Sequence, residues 1–79
     1  MEVMVTMWIM WAWITLAGQS GPTKFPVELH ASEAECVVAI PRERLRIESI
    51  AKERGDAAGE IKCELFQEAD LEVGQEAGS

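Results

Sequence analysis

Hydrophobic and polar positions divide the chain near Gly18. Residues 3–17, Val-Met-Val-Thr-Met-Trp-Ile-Met-Trp-Ala-Trp-Ile-Thr-Leu-Ala, carry no charge and only two polar side chains, Thr6 and Thr15. An unbroken apolar run of this kind predicts a hydrophobic helix at the N-terminus. Shorter patterns follow. Val27-Glu-Leu-His-Ala31 alternates apolar and polar, the period of a half-buried strand. Glu35-Cys-Val-Val-Ala-Ile40 is short and rich in β-branched residues, which predicts a second strand. Ser32-x-x-Glu35 supports a rival reading, a capping box that starts a short helix, Glu33 to Ile40, stopped by Pro41. Pro41 then opens the most helix-prone segment, 42–54, which Gly55 closes. Ile47, Ile50 and Ala51 share one face of that helix, and Leu45 falls on nearly the opposite side. Glu60-Ile-Lys-Cys-Glu-Leu-Phe66 alternates again and predicts a third strand.

These elements define an α+β class: a small single domain, strand-strand-helix-strand over residues 27–66, preceded by the N-terminal hydrophobic helix. Stacking Ile61, Leu65 and Ala69 at i,i+4 keeps an all-α remainder as the alternative. Residues 18–26 hold two Gly and two Pro and read as a linker. Residues 67–79 are acidic with few apolar anchors and read as a mobile tail.

The run within 1–17 admits three readings. A cleaved signal peptide fits the apolar length, and Thr15-Leu16-Ala17 before Gly18 supplies small residues for cleavage, although Glu2 stands where a basic residue is usual. A retained anchor needs about 20 apolar residues to span the bilayer core, more than the fifteen of 3–17. A buried core helix is the third reading. Composition adds a destination: the charge is 7 basic against 14 acidic residues, a net of −7. That argues against nucleic acid and favours a basic protein partner. The imbalance is local, with a net of +2 over 42–54 and −6 over 55–79.

Candidate chemistry is sparse. Cys36 and Cys63 are the only cysteines, and in an exported chain two cysteines predict one disulfide. Closing 27 residues is worth about 3.5 kcal/mol on chain-entropy grounds. His30, the only histidine, could join the cysteines and a glutamate in a zinc site, but the spacing matches no recurrent metal motif. Glu33 with Glu35, or Glu60 with Glu64, could serve as acid and base only inside a cleft. Ser20, Ser32, Ser49 and Ser79 lie in no nucleophile motif. Gly59-x-Ile61-x-Cys63 resembles the approach to strand F of immunoglobulin-type domains. No tryptophan follows Cys36, and the cysteines are too close for the intervening strands.

The resulting expectation is a small secreted or extracytoplasmic protein with a Cys36–Cys63 disulfide, non-enzymatic, without metal or cofactor, acting by protein–protein interaction. The alternative is a single-pass membrane protein whose N-terminal helix packs against a larger membrane complex, which requires residues 3–17 to be retained.

Overall fold

Trp8–Thr15, the greater part of the apolar run, is a strand. In the computed structural model, which describes residues 6–66, Trp8–Thr15 forms β1, Thr23–His30 forms β2, Glu33–Arg54 forms α1 and Ala57–Leu65 forms β3. The three strands make one antiparallel sheet in the order β2-β1-β3, so the most apolar segment is the central strand. This corrects the helix expected there. The residue types give the reason: Trp8, Ile9, Trp11, Trp13, Ile14 and Thr15 are all strand formers. A strand with neighbours on both sides also satisfies every backbone group, and side chains on both of its faces can be buried.

β1 uses both faces. Met10 and Ala12 are fully buried toward α1, with Trp8 and Ile14 packed beside them. Ile9, Trp11 and Trp13 alternate to the opposite face, where Trp11 is only 1% exposed. No second layer of secondary structure lies there among the described residues. Instead Lys24 reaches from β2 across β1, its Nζ 4.2 Å from the Trp11 ring centroid and 3.2 Å from Glu64 Oε1 on β3. A lysine stem thus covers indole surface while its ammonium stays in water.

The helix differs from its expected form at its start. Residues 35–40, expected as a strand, belong to α1, and the capping-box reading is the one that holds. Ser32 is extended (φ −144°, ψ 159°) and its Oγ accepts a hydrogen bond from the Glu35 amide at 3.2 Å. The helix does not stop at Pro41 but runs through it. Pro41 lies on the solvent side, where water can take the carbonyl that proline leaves unbonded. The far end matches expectation. Gly55 adopts φ +79°, its amide donates to the Lys52 carbonyl, and the Asp56 amide donates to Ala51 at 2.8 Å. A side chain at that φ would be strained.

β2 begins at Thr23, four residues earlier than the predicted strand, so Thr23–Pro26 belongs to the sheet rather than to a linker. β1 meets β2 with a register shift between Met10 and Trp11, which leaves Val27 as the extra residue. β3 has its own irregularity opposite Trp13. Gly59 sits there, and a Cβ on it would meet the Trp13 carbonyl oxygen at 2.8 Å, so only glycine fits. The tail expected over 67–79 lies outside the described residues, as do residues 1–5 and the Ala69 of the all-α alternative. The fold is therefore α+β as anticipated, with three strands and one helix among the described residues, but 8–15 replaces 35–40 as a strand and the separate N-terminal helix expected before the domain is not shown.

Candidate interaction surfaces

Cys36 and Cys63 form a disulfide with Cα atoms 6.1 Å apart. It joins the first turn of α1 to the C-terminal part of β3. Cys36 is fully buried, so the link closes the core between helix and sheet rather than decorating the surface. The pairing was expected from two strands. It holds from a helix because Cys36 faces the sheet in either case.

His30 is half-buried, its Nε2 2.6 Å from Glu28 Oε1. Arg42 Nη2 bonds the same Glu28 oxygen at 3.0 Å and lies 3.3 Å from Glu43, which also pairs with Arg46. Glu43 is 5% exposed, the only buried charged side chain among the described residues, and both of its partners are arginines. This chain of charges ties α1 to β2. Chemically it is a neutralised bridge, since each carboxylate has a cation beside it. Of the other carboxylates considered, Glu33 and Glu35 sit exposed in the first turn of α1, while Glu60 and Glu64 pair with Lys62 and Lys24. Ser32 is the helix cap, Ser20 and Ser49 are exposed, and Ser79 lies outside the described residues. Among the described residues no group of three or more His, Cys, Asp or Glu side chains gathers as a metal site.

Apolar surface is more informative. At about 100° per residue, Cys36, Ala39, Glu43, Ile47 and Ala51 point at the sheet, and all are buried. The opposite side of the same helix holds Val38 and Leu45, 78% and 73% exposed, with Pro41 between them. Val37, 50% exposed, lies toward β3, and Leu65 near the end of β3 is 44% exposed. Leu45 is where its spacing put it, away from Ile47 and Ala51. What sequence reading missed is that the same exposed side also takes in Val37 and Val38, which had been assigned to a strand.

α1 packs chiefly on β3 and more thinly on β1 and β2. That tilt opens a groove of about 380 Å³ between α1 and β2, floored by Ala12, Ile14, Phe25, Val27 and Ile50, with Arg46, Arg54 and Asp56 at its rim. Arg54 already pairs with Asp56 at 3.5 Å, and Asp56 accepts the Ala17 amide at 2.8 Å. Arg54 and Asp56 thus join the ends of β1 and α1 next to the start of β3, while Arg46 pairs with Glu43 within the helix. Among the described residues no helix is long and apolar enough to cross a membrane. No protein family, curated protein or solved structure matches the chain.

Proposed function

We propose that this chain is a small, non-enzymatic, disulfide-stapled domain of an extracytoplasmic compartment that acts by binding protein. The exposed apolar stripe Val37, Val38, Pro41 and Leu45 on the outer side of α1 carries the reading, because a domain this small has few apolar side chains to leave in water. The stripe is flanked by charge on the same helix, with Glu35 and Arg42 to one side and Arg44 to the other. The Cys36–Cys63 disulfide supports an oxidising setting, since cytosolic thiols are kept reduced. It also supplements a core that buries only a handful of large side chains.

The test places a photo-reactive residue at position 37 of the full chain in the cells that express it. A discrete protein adduct, lost when Leu45 is changed to Glu, is the expected result. No adduct, or one indifferent to Leu45→Glu, overturns the reading. Thiol counting on the same material addresses the compartment: two free thiols in the native chain remove the extracytoplasmic half of the proposal.

A further inference from the structure

The face of the sheet turned away from α1 is buried more deeply than its described neighbours account for. Ile9 is 6% exposed and Trp11 1%, and neither belongs to the core between α1 and the sheet. Among the described residues no helix or strand lies over that face. Neighbouring strands shield the flanks of a central side chain but not its tip, because all three lie in one layer. Ile9 stands between Leu29, 49% exposed, and Glu64, whose side chain is 46% exposed. Lys24 crosses the Trp11 ring, but its stem is narrow beside an indole, which buries about 150–250 Å². The indole N–H is out of water as well, with no hydrogen-bond partner among the described residues.

The chain itself leads to this face. The Phe66 amide donates to the Met7 carbonyl at 2.8 Å, so β3 ends beside β1, two residues from the Ile9–Glu64 pair. Residues 67–73 follow, outside the described part, and their sequence alternates. Ala69, Leu71 and Val73 are apolar, and Glu68, Asp70 and Glu72 stand between them. That is the period of an extended segment with one apolar side.

We infer that residues 69–73 cross back over the open face of the sheet and seat Leu71 and Val73 on Ile9 and Trp11. The inference is independent of the protein-contact reading and concerns the opposite side of the molecule from the α1 stripe. Reach permits it. Phe66 to Val73 is seven residues, about 23 Å when extended. The return from the Met7–Phe66 pair to the Trp11–Lys62 pair is four residues, about 13 Å of strand, which leaves 67–69 for the reversal. Chemistry permits it too. With Leu71 and Val73 turned inward, Asp70 and Glu72 turn to water, so the cover removes apolar surface from solvent without burying charge.

The experiment is proton NMR of the oxidised full chain, with the Trp11 indole N–H assigned by its loss in Trp11→Phe. Cross-peaks from the Leu71 and Val73 methyl groups to the Trp11 ring protons are expected, and they decide the matter without any further variant. Leu71→Glu with Val73→Glu should speed solvent exchange of that indole N–H by about tenfold or more, since the cover then opens locally. Residues 3–5 leave the same end of the sheet and are the rival cover. Val3→Glu with Val5→Glu should change the exchange by no more than about twofold. A wild-type chain with no cross-peak from residues 69–73 to Ile9 or Trp11 overturns the inference. So does an indole N–H that exchanges in the Leu71 and Val73 variant as it does in wild type, or one released only by the Val3 and Val5 variant.

Discussion

β1 and α1 both carry more apolar side chains than one buried face needs, and they place the surplus in opposite ways. In β1 the second apolar set, Ile9, Trp11 and Trp13, turns to the other side of the sheet and is covered there, in part by Lys24. In α1 the second set, Val38 and Leu45, stays in water. A central strand can bury both of its faces because its backbone is already satisfied by two neighbours. A helix lying on one sheet can bury only the stripe it turns downward. Apolar surplus in β1 is therefore stability, and apolar surplus in α1 is exposed surface.

The sharpest way to break this contrast is to remove β1. A chain beginning at Gly18 loses the strand that holds β2 to β3, and should show no cooperative thermal transition by calorimetry. A transition close to that of the full chain would sink the assignment of β1 as the centre of the fold. Single buried side chains come next. Trp11→Ala should cost about 3–5 kcal/mol and Met10→Ala about 2–5 kcal/mol in urea unfolding, as for other large-to-small core changes. Trp11 also carries a buried indole N–H without a hydrogen-bond partner among the described residues. Trp11→Phe removes that orphan donor and should cost about 1 kcal/mol or less, separating its volume from its polar atom.

Loss of the disulfide should follow in size. The double change Cys36→Ala and Cys63→Ala should lower stability by about 3.5 kcal/mol, chiefly by freeing a 27-residue loop in the unfolded chain. A loss under about 1 kcal/mol would mean that the link is incidental to the fold. On the helix, Val38→Ser with Leu45→Ser should shift the unfolding free energy by no more than about 0.5 kcal/mol, because both side chains are exposed in the folded domain. A large loss in that pair would show that they are already covered, and the contrast between strand and helix would fall.

How far the sequence announced this fold depends on which periodicity was visible. Residues 27–30 and 60–65 are strands as their alternation suggested, β2 and β3 extending them at their N-terminal ends, although Leu29, apolar and expected inward, is 49% exposed. Cys36 and Cys63 were recognisable as a pair without knowing which elements carried them. The run at 3–17 misled because a strand buried on both faces has no polar alternation to show, and so reads like a helix or a signal peptide. Its composition held the missing cue, since three tryptophans, two isoleucines and a threonine fill Trp8–Thr15. Val37-Val-Ala-Ile40 misled in the reverse sense. Its β-branched residues suggested a strand, yet Ser32 had supplied a helix cap, and burial of Cys36 and Ala39 outweighed both local propensity and Pro41. The ionic chain from His30 to Arg46 could not be foreseen, because it depends on how α1 lies across β2.

The central claim is that the apolar run is the middle strand of the sheet, and proton NMR of the oxidised full chain tests it most directly. Met10 stands opposite Cys63 and Ala12 opposite Ile61 in positions without mutual backbone hydrogen bonds, where α-protons approach most closely. The expected result is a pair of strong α-proton cross-peaks, Met10 with Cys63 and Ala12 with Ile61, together with slow amide exchange along Ile9–Ala12. Sequential amide–amide cross-peaks running through Trp8–Thr15 as in a helix, with none reaching β3, would contradict the account.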